Sequence, residues 1–129
     1  MLNKKFAANG IMLDNKKIFM IKRGPTAPAF PNHWACPGGI CVAGETPEET
    51  ARREVKEEAG LNFEAEELFF VSKLHLDLYH FIGSFNCQLI KDDREVAGCK
   101  WLSYDEAKSL PLAFDYIEIV ERLRIVGKL

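Results

Sequence analysis

Residues 39–61 read G-I-C-V-A-G-E-T-P-E-E-T-A-R-R-E-V-K-E-E-A-G-L, from Gly39 to Leu61. The stretch marks out a helix by its own ends. Thr46 can cap, Pro47 fits the first helical position, Glu49 completes a T-x-x-E capping box, and Gly60 suits the C-terminal stop, which gives a span of Pro47 to Ala59. At ~100° per residue, Glu54, Glu57 and Glu58 share an arc of ~100° on that helix. Two bare carboxylates about 5 Å apart repel by on the order of 3 kcal/mol at an effective dielectric of 20, so three need compensation. A cation supplies it, and an all-oxygen set favours Mg²⁺ or Mn²⁺, which keep water positions and bridge substrate phosphates. The plainer alternative is a solvated acidic helix face.

Context decides between them. Gly39, Glu45, Arg53, Glu54, Val55, Glu57, Glu58, Gly60 and Leu61 fill the specified positions of a pattern similar to the signature of the Nudix hydrolases, the MutT-like proteins among them. The chain from about Phe6 to Val126 has the length and order of elements expected of that family. The resemblance implies metal-dependent attack of water on a pyrophosphate linking a nucleoside to another group X. It also implies that metals are held by the carbonyl of Gly38 and by Glu54, Glu57 and Glu58, with Glu54 and Glu58 the firmest ligands. Metal-bound water is acidified and oriented, and the cations neutralise charge on the phosphoryl oxygens. One glutamate can serve instead as general base. A rival motif overlaps the signature, since Gly39 to Thr46 reads G-x-x-x-x-G-E-T, like a phosphate-cradling loop. There Glu45 stands where the lysine would meet the phosphates and presents the wrong charge.

Four further residues join the candidate set. Arg53 points beside the cluster and can pair bidentately with Glu45, tying the loop to the helix. Glu95, before the W-L strand, resembles a further metal or base position of several family members. Arg23, ending the second strand, resembles the family's basic residue near the substrate phosphates. Asp115, in L-A-F-D-Y, can accept from a base's exocyclic amine or guanine N–H, but capping the last helix is its more ordinary role. Aromatic residues could stack on a base; Phe30, Trp34, Tyr79 and Tyr116 lie in or near the expected cleft, with Trp34 carried forward as substrate-binding. Lys56 and Glu48 read as solvated, Glu49 as a cap partner, and Val55 and Ala59 as sheet-facing. His33, His75 and His80 read as surface or satisfied core residues.

The 129 residues are 47% hydrophobic and 28% charged, which is ordinary for one globular domain spanning 1–129. No segment approaches the ~20 apolar residues needed to cross a bilayer, and no leader is read at the N-terminus, so a cytoplasmic location is expected. The net charge of −2 argues against tight binding to duplex nucleic acid and leaves small phosphorylated ligands open. Cys36, Cys41, Cys87 and Cys99 lack a zinc pattern and read as reduced, mostly buried thiols. A monomer and a homodimer are both compatible with the sequence.

Phe6 to Leu13 and Lys17 to Lys22 read as a hairpin across Asp14-Asn15-Lys16, and Gly24 to Pro37 as an irregular functional loop. Leu68 to Leu76, Leu78 to Ile90 and Val96 to Leu102 read as strands, with a turn at Lys91 to Arg94. Ser103 caps a short helix over Tyr104 to Ser109, and Phe114 to Val126 carries Tyr116, Ile119, Val120 and Leu123 at helical spacing. The fold class is α+β, a sandwich with a mixed sheet between helices, as the resemblance also implies. The leading function is hydrolysis of a (d)NTP or oxidised (d)NTP, with ADP-ribose or a nucleotide sugar as the alternative substrate. From a different class, a Nudix-fold sensor that binds a nucleotide without cleaving it would not need the carboxylates.

Overall fold

The structure is a computed structural model that describes residues 4–86 and 98–129. Its contacts divide the chain into two compact units, residues 1–12 with 37–96, and residues 13–36 with 97–129.

The first unit holds a mixed four-stranded sheet. Strand β1 (Phe6–Ile11) is central. The remaining strands follow β2 (Leu13–Asp14), β3 (Lys17–Lys22) and β4 (Trp34–Ala35) in the chain: β5 (Gly38–Ile40), β6 (Phe63–Lys73) and β7 (Asp77–Phe85). The sheet order is β5-β1-β7-β6, with β1 antiparallel to β5 and parallel to β7. The long edge strand β6 pairs with β7 through two irregularities, between Ala65 and Glu67 and between Leu68 and Phe70. Such bulges twist an edge away from stray pairing. Helix α1 (Pro47–Ala59) packs on this sheet with Thr50, Ala51 and Val55 buried. Both expected caps are present: Thr46 and Glu49 form the reciprocal capping box, and Gly60 at φ 71° returns its N–H to the Lys56 carbonyl.

The second unit holds an antiparallel sheet in which β3 pairs with β2, β4 and β8 (Cys99–Leu102). Two helices accompany it, α2 (Tyr104–Lys108) and α3 (Tyr116–Ile125). Ser103 and Glu106 form the capping box of α2. Tyr116, Ile119, Val120 and Leu123, the positions picked out by helical spacing, are all buried.

Three expectations need correction. The first hairpin is narrower than predicted: only Leu13–Asp14 pairs with β3, across Asn15 (φ 52°) and Lys16 (φ 60°), whereas β1 belongs to the other sheet. Both turn residues sit in the left-handed region, the geometry that tight two-residue hairpins require. Second, the stretch read as irregular contains β4, and the glycines after it form β5. Third, strand β6 starts five residues before the predicted Leu68. Of the cysteines described, Cys36 is buried while Cys41 and Cys99 are half-buried. Burial pushes the Cys36 thiol far above the usual range, so it stays protonated. Cys87, the turn at Lys91 to Arg94 and the starts and ends of strands predicted within 87–97 lie outside the described residues.

Candidate active site

The site begins with how α1 meets β5. In the antiparallel β1–β5 ladder Gly10 donates to the Pro37 carbonyl at 3.0 Å and Cys41 to the Phe6 carbonyl at 2.9 Å. With Asn9 opposite Gly38, that alternation makes Asn9–Gly38 a pair that exchanges no ladder bonds. The N–H and C=O of Gly38 therefore point outward from the sheet edge. The Gly38 N–H is taken by Glu58 Oε1 at 2.8 Å. At Gly39 an added Cβ would lie 2.6 Å from Glu54 Cδ, so only glycine lets the carboxylate lie against the strand.

Arg53 organises the remaining carboxylates. Its Nε donates to Glu45 Oε2 at 2.7 Å and Nη2 to Glu45 Oε1 at 3.1 Å, the bidentate pair expected from the sequence. Nη1 reaches Glu54 Oε1 at 3.3 Å and both Glu57 oxygens at 3.2 Å, and Nη2 also donates to the Ile40 carbonyl at 3.2 Å. Glu45 further accepts from the Val42 N–H at 2.9 Å and the Thr50 hydroxyl at 2.8 Å. The hydrogen bond from Arg53 above all holds the Glu45 carboxyl down at about 2, helped by Val42 and Thr50 and opposed by burial. Glu54 moves the other way: burial raises it and the neighbouring Glu57 charge adds to the rise, against the pull of Arg53.

Among the described residues no three His, Cys, Asp or Glu side chains already converge on one point as a metal cage. The carboxylates are instead turned onto donors, Glu54 and Glu57 onto Arg53 and Glu58 onto Gly38. The donor chemistry nonetheless fits a hard divalent ion: three carboxylates and an outward-facing peptide carbonyl, all oxygen. Arg53 and Glu45 also line a recess of about 460 Å³ with Glu49, Arg52, Lys56 and Glu64. Its acidic and basic groups balance, and Arg52 is paired with Glu64 at 3.5 Å, so it offers a polyphosphate no net attraction.

The other candidates lie in the second unit. Arg23 donates from Nε to the Ala29 carbonyl at 2.8 Å, and its guanidinium stands 5.1 Å from the Phe114 ring centre. Phe114 in turn lies 4.9 Å from Phe30, which remains 41% exposed. Both phenylalanines have positive φ, 49° and 48°, a conformation that costs energy for a bulky residue. Asp115 corrects the capping expectation: it precedes α3 but makes no side-chain cap bond. A capping residue needs extended backbone, and Asp115 sits at φ −108°, ψ 30°. Its Oδ1 is buried with no hydrogen-bond partner. Trp34 is 7% exposed, with Lys100 Nζ 5.6 Å from its ring centre, so its ring belongs to the core of this unit and leaves almost no face for a base. Tyr116, 2% exposed, is likewise core. Glu95 lies outside the described residues. Phe114 was not singled out in the sequence; the structure sets its ring beside the Arg23 guanidinium.

A NUDIX domain model matches residues 3–123. The chain belongs to the Nudix family. Among its relatives, an m7GpppN-mRNA hydrolase of Xenopus laevis is 30% identical over 78% of this chain and 42% of its own length. An ADP-ribose pyrophosphatase of Methanocaldococcus jannaschii is 43% identical over 46% of this chain and 34% of its own. A Bacillus subtilis protein, provisionally named an 8-oxo-dGTP diphosphatase, is 33% identical over 72% of this chain and 62% of its own. The chain therefore spans less than two thirds of each of these relatives. A solved MutT structure, from work on Aliivibrio salmonicida and Vibrio cholerae, superposes with a TM-score of 0.78 at 22% identity, covering 94% of this chain and 97% of that one. This likeness fixes the α+β Nudix fold. No helix among the described residues is long and apolar enough to cross a membrane.

Proposed function

We propose that this chain hydrolyses a phosphoanhydride in a nucleoside diphosphate linked to X, with (d)NTPs, oxidised ones included, ahead of ADP-ribose and nucleotide sugars. The observation that carries the reading is the crowding of Glu54, Glu57 and Glu58 against Arg53 and the Gly38-Gly39 strand. Glu54, Glu57, Glu58 and the Gly38 carbonyl would hold Mg²⁺ or Mn²⁺. When bound, the metal supplies an acidified water and neutralises charge developing on the phosphoryl oxygens. The chain's own part is positional: Arg53 orients Glu54 and Glu57, Glu45 anchors Arg53, and Gly39 lets the carboxylates sit against the backbone. Water adds to one phosphorus and gives its proton to a carboxylate of the cluster, the bridging P–O bond breaks, and the leaving phosphate departs with the electron pair.

The second unit, taken by itself, carries further candidates for substrate binding: the Arg23 guanidinium beside the Phe114 ring, which neighbours Phe30, and the unpartnered Asp115 oxygen, which can accept an N–H from a purine edge. Guanine, with adjacent N1–H and amino donors, suits a carboxylate best. Two relatives named for guanine nucleotides support placing such substrates first, while the ADP-ribose pyrophosphatase supports the alternative.

Product analysis with Mg²⁺ across (d)NTPs, 8-oxo-dGTP, ADP-ribose and nucleotide sugars tests the reading. The expected products are a nucleoside monophosphate and pyrophosphate. AMP plus ribose phosphate, formed with the higher kcat/KM, reverses the substrate order, and nucleotide binding without turnover replaces the enzyme by a sensor. Phosphate release from a monophosphate as the main activity refutes the mechanism. Asp115→Leu is expected to raise KM for the preferred purine nucleotide ~10-fold, because a site built for a hydrogen bond loses about 1–3 kcal/mol without it, with little change in kcat. An unchanged KM removes Asp115 from base recognition.

A further inference from the structure

Away from the carboxylates, the first unit buries a chain of polar side chains that the reaction does not use. Ser72 on β6, His80 on β7 and Asn9 on β1 are each no more than 1% exposed. Ser72 Oγ lies 2.7 Å from His80 Nε2, and His80 Nδ1 lies 3.0 Å from Asn9 Nδ2 and 3.2 Å from Oδ1. A hydroxyl and an amide each offer both a donor and an acceptor, so either imidazole tautomer can close both links. Three aliphatic residues would fill the same volume without the desolvation cost. What the polar set adds is a fixed geometry, since its bonds are made in one arrangement of β1 against β7 and β6.

That geometry matters where β1 meets β5. Asn9 and Gly38 face each other so closely that a Cβ on Gly38 would collide with the Asn9 Cβ and stand 2.8 Å from its Cα. Strand β5 is three residues long, and among the described residues it pairs in its sheet with β1 alone. The placement of Gly38 is thus inherited from Asn9, and Gly38 in turn holds Glu58. A carbonyl and a carboxylate that share an ion must be placed to within about 0.5 Å.

We infer that Ser72, His80 and Asn9 are positioning residues for metal binding, acting through Gly38 on Glu58. The inference rests on the reading of Gly38 and Glu58 as metal ligands. Its test reads Mn²⁺ affinity directly, by paramagnetic resonance of free Mn²⁺, alongside the Mg²⁺ concentration for half-maximal turnover. Asn9→Ala and His80→Leu are expected to weaken Mn²⁺ binding ~10-fold, the size typical when a partner behind a ligand is lost. The Mg²⁺ requirement should rise in parallel, with nucleotide KM at saturating metal within about twofold of the parent. Ser72→Ala, a milder change checked for native structure by circular dichroism, is expected to weaken Mn²⁺ binding about threefold, and His80→Gln, which retains an amide donor and acceptor, to recover part of the loss. A purely structural role would lower melting temperature and leave the metal affinity of the folded protein untouched. Unchanged Mn²⁺ binding in folded Ser72→Ala and Asn9→Ala, beside binding by the parent, overturns the inference alone; no Mn²⁺ binding by the parent overturns the ligand reading and the inference with it.

Discussion

Glu57→Gln and Glu58→Gln are each expected to lower turnover on the preferred nucleotide by ~10²-fold or more, with residual activity demanding more Mg²⁺ or Mn²⁺. The substitutions isolate charge from shape. Glu57 is 56% exposed in its side chain, and glutamine keeps its volume. At Glu58 the amide oxygen can still accept from the Gly38 N–H that now donates at 2.8 Å. The fold should therefore survive, with a cost near the ~0.5 kcal/mol ordinary for surface changes. A chelator should abolish activity in the parent. Full turnover in the double glutamine variant, or activity that resists the chelator, would remove the metal from these residues.

How much of this was legible in the sequence varies with the range of the interactions involved. Helix α1 was readable to its ends because its signals are local: Thr46, Pro47, Glu49 and Gly60 act within a turn of the residues they cap. The Arg53–Glu45 pair was readable for the same reason, its partners standing eight positions apart in the sequence. Strand β5 was not, because Gly38 and Gly39 have little strand preference and take their extended form from pairing with Ala8 and Asn9, about thirty residues earlier. The Asn9–His80 link joins positions 71 apart in sequence, and its only trace was an asparagine inside the apolar run of β1. Trp34 was misplaced because an aromatic residue in a proline-rich stretch looks exposed, whereas its backbone bonds to Pro111 and Ala113 draw it into the second unit. Asp115 carries the usual letter for a cap, but the preceding Phe114 at φ 49° turns the backbone away from capping geometry.

Arg53→Ala is expected to damage turnover and stability together, because one guanidinium serves three carboxylates and the Ile40 carbonyl. The side chains of Glu45 and Glu54 are each 14% exposed, so truncation leaves two largely enclosed charges without their counter-ion. Arg53 itself is 28% exposed, and water reaching the gap softens the loss to about 2 kcal/mol, below the 3–5 of a fully buried pair. For a domain of this size that lowers the melting temperature by roughly 8 °C. Turnover should fall by ~10-fold or more, since Glu54 and Glu57 lose the group that orients them. Arg53→Lys is not expected to rescue it, as an ammonium cannot span both Glu45 oxygens while reaching Glu57. The acid limb gives an independent check. The Glu45 carboxyl is held at about 2 in the folded chain, below its unfolded value near 4.3. A depressed carboxyl stabilises the fold above the unfolded value, and that contribution is lost as pH falls towards about 2. The stability gap between the parent and Arg53→Ala should therefore narrow between about pH 4 and pH 2 in denaturant melts. Equal melting temperature and turnover in the two proteins, or a gap that stays constant through that window, would reduce Arg53 to a surface charge.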